Sequence, residues 1–227
     1  MRDSQSAHEE DRFNIISNHI GSYLSEGKKL FVTSSFLTHS IPLLHILSRI
    51  DNSIPVMFLN TGFLFPETIE FKDQIADSFG LQVFDVRPSV PKSQQRNSKG
   101  NFYFTSDTDR CCHFNKVQPM DSILLEYDVW INGVRGDQNA TRAAMNLEQG
   151  TPFDCLRFHP MLDWSSKMIH EYRMEYNLPP HPLERLGFFS IGCEPCTRKW
   201  DINDERSARW YGQNKTECGL HTSLLKK

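Results

Sequence analysis

Five of the six cysteines lie in patterns that suit metal binding or nucleophilic chemistry. Cys193 and Cys196 form a C-x-x-C pair on a Gly-Cys-Glu-Pro turn, a spacing at which two thiolates can bind one metal centre. Cys111 and Cys112 are adjacent in the sequence, and Cys218 stands alone near the carboxyl end. Two pairs of thiols and one solitary thiol therefore indicate a metal centre and a separate nucleophile.

The two pairs supply four thiols, the ligand number of a [4Fe–4S] cluster or of a structural zinc ion. Adjacent residues on a helix point about 100° apart, so Cys111 and Cys112 reach two corners of a large cluster more easily than one small ion. This geometry favours iron–sulfur over zinc. Unliganded buried thiols remain an alternative for these pairs, and Cys155 is expected to be a small core residue.

Cys218 has basic neighbours that favour its thiolate. Lys215 and His221 each lie three residues away, and positive charge lowers the pKa of a cysteine thiol. The alternative is an unreactive thiol on a frayed tail. Further positive charge comes from Lys116, Arg135 and Arg142 near predicted strand ends. Arg206 and Arg209 lie three residues apart and share a helix face if that stretch is helical. These side chains could hold an anionic ligand in a chain that is acidic overall.

Composition places the chain among ordinary globular proteins. Its 227 residues are 38% hydrophobic and 23% charged, with a formal net charge of −3. This charge argues against a nucleic-acid-binding protein. No apolar run approaches the roughly 20 residues that span a bilayer, and the polar, acidic start resembles neither a signal nor a transit peptide. We therefore expect a cytoplasmic protein with reduced thiols and no membrane partner.

Strands and helices alternate through the first part of the chain, which predicts a doubly wound α/β fold with a mostly parallel sheet. The predicted elements are a helix at Asp11–Leu24, a strand at Leu30–Thr33, a helix at Ile41–Ile50, a strand at Val56–Leu59, a helix at Pro66–Phe79 and a strand at Leu81–Val86. Ligands bind beyond the carboxyl ends of such strands. The turns Ser34–Ser40 and Asn60–Gly62 should therefore lie side by side, and the first is a candidate anion site.

The rest of the chain continues the pattern less regularly. Residues 87–109 are predicted to form a long mobile loop. A helix is expected at Cys111–Tyr127, strands at Val129–Val134 and Leu156–Leu162, and a further helix at Ser165–Tyr176. No break in composition marks a second domain, so we expect one domain over residues 1–227, with residues 200–227 as a site-forming tail.

Seven segments together resemble a known enzyme family. They are VTSSF (32–36), FLNTGFLFPET (58–68), KVQPM (116–120), GVRGDQNATRA (133–143), HPMLDW (159–164), IGCEPCTRKW (191–200) and DERSARWYGQNKTECGLH (204–221). The chain resembles the assimilatory sulfonucleotide reductases, which reduce adenylylsulfate or phosphoadenylylsulfate. The segment KTECGLH is the most specific, since that family carries its catalytic cysteine there. The resemblance implies the adenine-nucleotide alpha-hydrolase-like fold.

The resemblance also implies a mechanism and a set of site residues. The Cys218 thiolate would attack the sulfur of the bound substrate, and thioredoxin or glutaredoxin would then release sulfite from the S-sulfocysteine. His221, Lys116, Arg206 and Arg209 would assist at the sulfate. Substrate binding would fall to Ser34, Ser35, Phe36, Asn60, Thr61, Gly62, Arg135, Arg142 and Lys215. Cys111, Cys112, Cys193 and Cys196 would hold a [4Fe–4S] cluster, and the enzyme would be a homo-oligomer.

The complete cysteine set resembles the iron–sulfur subgroup, which mostly uses adenylylsulfate. Two departures keep the 3′-phosphorylated substrate open as an alternative. Leu37-Thr38-His39 stands where that subgroup usually has a Gly-Ala-Glu-Asp type sequence, and Asn115 stands where it commonly has a basic residue. Two other classes share the fold or the cysteines. They are the ATP-pyrophosphatase tRNA-thiolating enzymes, whose Ser-Gly-Gly-x-Asp-Ser loop is missing here, and a non-enzymatic metal scaffold.

Overall fold

The protein forms a six-stranded sheet with strand order β3-β2-β1-β4-β6-β5. The computed structural model describes residues 2–199, 208–210, 215, 217–221 and 223–224, with side chains from residue 12 onward. The strands are β1 (Leu30–Thr33), β2 (Val56–Leu59), β3 (Val83–Val86), β4 (Val129–Asn132), β5 (Glu148–Gly150) and β6 (Leu156–Phe158). All pairs are parallel except β5 with β6. The predicted doubly wound, mostly parallel fold is confirmed.

Helices connect the strands. They are α1 (Arg2–Ser25), α2 (Ile41–Ile50), α3 (Pro66–Phe79), α4 (Tyr103–Ser106), α5 (Thr108–Cys112), α6 (Asp121–Glu126), α7 (Ala140–Ala143) and α8 (Ser166–Glu175). Pro66 begins α3 and Gly80 ends it with a left-handed φ of 63°, a conformation that glycine adopts without steric cost. In the described part of the chain, no helix combines the length and apolarity needed to cross a bilayer.

The sheet is covered on both faces, as the uninterrupted apolar strands predict. On one face, side chains such as Val32 and Ile131 pack against α1, α2, α3 and α8. On the other face, Phe31 stacks on Trp130 of the neighbouring strand, with ring centroids 6.2 Å apart, and Cys155 belongs to that smaller core. The expectation that Cys155 is a core residue is therefore confirmed.

Several elements differ from the sequence expectation, and the strands β3, β4 and β6 are shorter than expected. The helix α1 begins at Arg2, and the edge strand β5 was not predicted because Glu148-Gln149-Gly150 has no apolar alternation. The expected loop over residues 87–109 contains a 3₁₀ turn and α4. The expected helix at Cys111–Tyr127 is interrupted by a π-helical turn, His113–Val117, and by a 3₁₀ turn that contains Pro119, which has no N–H to donate.

Candidate active site

A cavity of about 360 Å³ lies beyond the carboxyl ends of β1, β2 and β4, the edge at which parallel sheets bind ligands. Its wall is formed by the turn after β1, the loop after β4, the loop around the C-x-x-C pair, Lys116 and the segment 217–221. The fold therefore brings residues distant in sequence to one site. Cys218 is among the lining residues.

The turn after β1 presents hydroxyl groups to this cavity. Ser34 and Ser35 line it, but the Ser34 hydroxyl accepts the Phe36 N–H at 3.1 Å and the Ser40 hydroxyl accepts the Leu37 N–H at 3.0 Å. These two N–H groups are therefore already bonded. Phe36 has a φ of 52° and its side chain is fully buried in the core, so that side chain does not reach the cavity.

The turn after β2 faces away from the cavity. Asn60 donates to Asp85 at 2.7 Å, and the Gly62 carbonyl accepts a hydrogen bond from Lys92. The Thr61 hydroxyl lies 3.3 Å from Cys193 Sγ. Asn60, Thr61 and Gly62 do not line the cavity, in contrast to the expectation, because this turn instead supports the loop of the C-x-x-C pair.

Arg135 lies in the cavity wall, where its guanidinium is held by a network of hydrogen bonds. Its guanidinium donates to Asp137 at 3.0 Å, to Ser166 at 2.9 Å and to His39 Nδ1 at 3.1 Å, and its side chain is 3% exposed. Burial and the charge of Arg135 lower the pKa of His39 to about 4. The positive charge of Arg135 is therefore balanced by Asp137, and His39 is neutral at physiological pH.

The segment that carries Cys218 is held by an ion pair with the loop after β4. Arg142 donates to both carboxylate oxygens of Glu217, at 2.8 and 2.9 Å, and Asn139 donates to the same carboxylate at 2.8 Å. The carboxylate also accepts the Cys218 backbone N–H at 2.8 Å. Arg142 lines the cavity, but its guanidinium is turned to Glu217, so it fixes the backbone of Cys218.

The substitution Glu217→Gln is expected to lower the free energy of unfolding by about 3 kcal/mol at neutral pH, because it removes the carboxylate partner of Arg142, whose side chain is only 12% exposed. Burial alone would raise the pKa of Glu217, but the hydrogen bonds from Arg142 lower it to about 2. A carboxylate whose pKa falls on folding stabilises the protein above its unfolded-state value and loses that effect as pH falls through its folded value. The difference between wild type and variant should therefore be largest above about pH 4.5 and shrink towards pH 2. Urea denaturation across this range measures it.

The exposed pair between Lys28 and Glu26 supplies the control, since these side chains are 36% and 51% exposed. Glu26→Gln should change the free energy of unfolding much less than Glu217→Gln does. An equal loss in both variants, or a Glu217→Gln effect that does not vary with pH, would contradict the role of the buried pair.

Cys218 is buried at 8% exposure, in surroundings that favour its thiolate. The neighbouring Cys112 thiol, when it carries its proton and no metal, lowers the pKa of Cys218 below its ordinary value against the opposing effect of burial. Lys116 and the Leu220 N–H lower this pKa further. The surroundings of this solitary thiol in the cavity wall therefore favour the thiolate, the reactive form of a cysteine.

The remaining thiols of the two pairs, those of Cys111, Cys193 and Cys196, interact with one another and with Lys116. Burial and the neighbouring Cys193 and Cys196 raise the pKa of Cys111 to about 11. The positive charge of Lys116 interacts most strongly with Cys193 and also with Cys218, and these interactions raise the pKa of Lys116. Within the described residues, no three acidic, histidine or cysteine side chains meet at metal-ligand distance. The donor set of four thiols nevertheless fits a thiolate-ligated cluster in number and type.

Arg209 approaches the cavity across a glycine. Its guanidinium donates to the Ile191 carbonyl at 2.7 Å and lies 4.5 Å from the Trp210 ring centroid. A Cβ at Gly192 would lie 2.4 Å from the guanidinium, so only glycine permits this approach. Arg206 lies outside the described residues. Lys215 pairs with Asp109 and does not line the cavity.

Two contacts of the C-terminal segment were not found from the sequence. Arg157 donates to the Leu220 carbonyl at 3.2 Å and to His221 Nδ1, and it is fully buried. Burial, together with Arg142 and Arg157, lowers the pKa of His221 well below its ordinary value. The available signal was a charged residue between Leu156 and Phe158 in an otherwise apolar strand.

Comparison with known proteins identifies relatives of this chain. The sequence model of the phosphoadenosine phosphosulfate reductase domain family matches residues 29–199 of this chain. An adenosine 5′-phosphosulfate reductase of Rhodococcus opacus is 35% identical over 208 residues, which are 89% of this chain and 84% of the relative. A phosphoadenosine 5′-phosphosulfate reductase of Gloeobacter violaceus is 39% identical over 200 residues, 86% of this chain and 83% of the relative.

Solved structures support the fold assignment. A crystal structure of phosphoadenylyl-sulfate reductase from Candida auris superposes with a TM-score of 0.64 at 18% identity, over 78% of this chain and 87% of that one. The FMN adenylyltransferase of Candida glabrata superposes with a TM-score of 0.56 at 15% identity, over 83% and 68% of the two chains. The expected nucleotide-binding fold is confirmed.

Proposed function

Because the chain belongs to the phosphoadenosine phosphosulfate reductase domain family, an enzyme family that reduces sulfonucleotides, we propose that it reduces adenylylsulfate to sulfite and AMP through Cys218. The Cys218 thiolate attacks the sulfur atom, a new S–S bond forms, and the bond between sulfur and the phosphate oxygen breaks. AMP leaves with the electron pair of that bond, and the enzyme carries an S-sulfocysteine. The observation that carries this proposal is the activated Cys218 in the wall of the cavity.

The second step requires an external dithiol such as thioredoxin or glutaredoxin. One of its thiolates attacks Cys218 Sγ, the S–S bond to the sulfonate breaks, and sulfite leaves. The second thiol of the reductant then resolves the mixed disulfide and returns Cys218 to the thiolate. Cys218 is only 8% exposed, so the segment 217–221 must move outward before a protein reductant reaches it.

The site's positive charge supports attack of one anion on another. Lys116 and Arg209 both line the cavity and both lower the pKa of Cys218. In the described residues, neither has a carboxylate partner within ion-pair distance. They are therefore free to bind the sulfate and phosphate oxygens, with Arg206 as a further candidate, while the hydroxyls of Ser34 and Ser35 bind the nucleotide.

We assign Cys111, Cys112, Cys193 and Cys196 to a [4Fe–4S] cluster. When bound, this cluster supplies fixed charge next to Lys116 and no electrons to the sulfonucleotide. Three of the four thiols interact electrostatically with one another, whereas Cys112 interacts with Cys218. Asn115 bonds to the Cys111 carbonyl at 2.8 Å and to buried Gln95, which fixes the turn that carries the adjacent pair.

Anaerobically purified protein is expected to be brown and to contain about four irons per chain. Cys193→Ser should lose most of this iron, since it removes one ligand. Cys155→Ser is the matched control, because Cys155 lies in the smaller core and the Thr151 hydroxyl bonds its carbonyl. Iron analysis and the visible absorption spectrum measure both. Protein that contains zinc and no iron would end the cluster assignment.

The choice between the two sulfonucleotides follows from the charge balance of the cavity. Arg135 and Arg142 are each compensated by a carboxylate, Asp137 and Glu217 respectively. A 3′-phosphate adds a charge of about −1.5 to −2 at neutral pH, and the described residues leave only Lys116 and Arg209 uncompensated in the cavity. These two cations match the phosphate and sulfate of adenylylsulfate, which supports that substrate over phosphoadenylylsulfate.

The value of kcat/KM is expected to be about tenfold to hundredfold higher for adenylylsulfate, because burying an unpaired phosphate charge costs at least about 1–3 kcal/mol. Steady-state assays with both sulfonucleotides and the same thioredoxin decide the question. A preference for the 3′-phosphorylated substrate would reverse the assignment. Failure to turn over either substrate would contradict the proposed function itself.

Three further properties complete the proposal. The segment 217–221 closes the cavity formed by the sheet, which supports a single catalytic domain with residues 200–227 as its closing tail. The free thiols fit a reducing compartment such as the cytoplasm. The family resemblance also implies a homo-oligomer, and size-exclusion chromatography with light scattering tests this oligomeric state.

A further inference from the structure

A buried arginine lies against the segment that carries Cys218. Arg157 is 0% exposed, and in the described residues no carboxylate lies within ion-pair distance of it. Its guanidinium lies 4.3 Å from the Trp130 ring centroid, and its Nε is buried without a hydrogen-bond partner. Burying a cation without a paired anion is costly. The charges of Cys218 and Glu217 offset only part of this cost, since burial and Arg142 still lower the pKa of Arg157 to about 9. The contacts of Arg157 therefore indicate a role beyond stability.

Arg157 makes both of its contacts with the C-terminal segment through its guanidinium group. The guanidinium donates to the Leu220 carbonyl at 3.2 Å and to Nδ1 of His221. Arginine has donors only, so Nδ1 of His221 must accept this bond through its lone pair. A neutral imidazole with Nδ1 as acceptor carries its proton on Nε2. Arg157 therefore selects one tautomer of His221.

The selected proton is available to a ligand. His221 lines the cavity, and no described residue bonds its Nε2. His221 lies one turn after the nucleophile, because the His221 N–H donates to the Cys218 carbonyl at 2.9 Å. The imidazole thus offers one oriented N–H donor to the cavity that Cys218 also lines.

We propose that Arg157 is a positioning residue that fixes His221 as the neutral Nε2–H tautomer, so that His221 donates a hydrogen bond to an anionic oxygen of the bound sulfonucleotide. This inference rests on the proposed function for the identity of the acceptor. The tautomer itself depends only on Arg157. Arg157→Met removes the donor that holds Nδ1, whereas Arg157→Lys keeps a charged donor.

The tautomer is measured directly by ¹⁵N NMR of histidine-labelled protein, with His221→Gln to assign the signals. The wild type should show protonated Nε2 and unprotonated Nδ1 at His221, and Arg157→Lys should keep this pattern. Arg157→Met should shift His221 towards the other tautomer or the protonated form. Arg173→Met is the control, since Arg173 also has a buried, unpartnered Nε but bonds the Leu178 carbonyl. The wild-type spectrum tests the proposal even if a variant misfolds.

Activity supplies the second measurement. Arg157→Met should lower kcat/KM about tenfold to hundredfold, the range of a hydrogen bond to a charged group. In His221→Gln, whose amide nitrogen can occupy the Nε2 position, adding Arg157→Met should cost less than about threefold. A protonated Nδ1 in the wild type, an unchanged tautomer in Arg157→Met, or equal losses in both backgrounds would overturn the proposal. Absence of sulfonucleotide turnover in the wild type would contradict the proposed function and leave the tautomer result standing.

Discussion

Cys218→Ser is expected to lower sulfonucleotide reduction by at least about four orders of magnitude, because a serine hydroxyl is not ionised at neutral pH and nothing else replaces the nucleophile. Nucleotide binding should persist. The Glu217 carboxylate holds the backbone N–H of residue 218, not its side chain, so the segment 217–221 keeps its contacts with Arg142. Equilibrium binding of AMP and single-turnover assays separate the two effects.

Mass spectrometry locates the intermediate in the wild type. Protein incubated with substrate and no reductant should carry one sulfonate, at Cys218, and Cys218→Ser should carry none. Cys155→Ser is the matched control, since Cys155 is equally buried at 3% exposure but lies in the smaller core. It should form the adduct normally. A sulfonate trapped on another cysteine of the wild type would refute Cys218 as the nucleophile.

The scaffold was largely predictable because its signals are local. Leu30–Thr33 and Val56–Leu59 are short apolar runs, each followed by a polar turn and a helix that begins at or near a proline. Such alternation leaves few topologies. The strand β5 was not predicted because exposed and half-buried residues alternate along it without any apolar side chain. It forms through its antiparallel pairing with β6.

The candidate site was predictable in its reactive residues and less so in its supporting contacts. The spacing of the cysteines indicates metal binding and nucleophilic chemistry, so the sequence offered Cys218 and the two pairs as candidates, and the structure places Cys218 in the cavity wall. The partner of Glu217 could not be predicted from the sequence, since Arg142 lies 75 residues earlier in the chain. For the same reason Arg142 was expected to bind phosphate, whereas the structure places Glu217 on its guanidinium.

The turn after β2 shows a second limit of sequence reasoning. Parallel strands bring their carboxyl ends to one edge of the sheet, but they do not decide which way the following side chains point. The Asn60 side chain turns to Asp85 on β3, and Thr61 turns to Cys193. The sequence therefore predicted the edge of the sheet at which this turn lies. It did not predict that the side chains of the turn point to β3 and to the loop of the C-x-x-C pair.

Lys116 is the residue whose removal should cost most after the nucleophile. It lies in the π-helical turn His113–Val117, lines the cavity, and interacts electrostatically with both Cys193 and Cys218. Lys116→Met keeps the length of the side chain and removes its charge. We expect kcat/KM to fall about 10²- to 10³-fold, the cost of losing one fixed charge or donor that stabilises a transition state.

The same substitution should change the reactivity of Cys218 with a defined sign. Lys116 lowers the pKa of the Cys218 thiol, so its loss should raise that pKa and move the pH dependence of Cys218 alkylation to higher pH. Iodoacetamide kinetics from pH 5 to about 9 measure this shift. Lys167→Met is the control, because the Lys167 side chain is 82% exposed and, among the described residues, pairs with Glu171 of its own helix. A pH profile that is unchanged in Lys116→Met, or shifted equally in Lys167→Met, would show that Lys116 does not stabilise the thiolate. A loss of turnover would then have to come from its contact with the substrate alone.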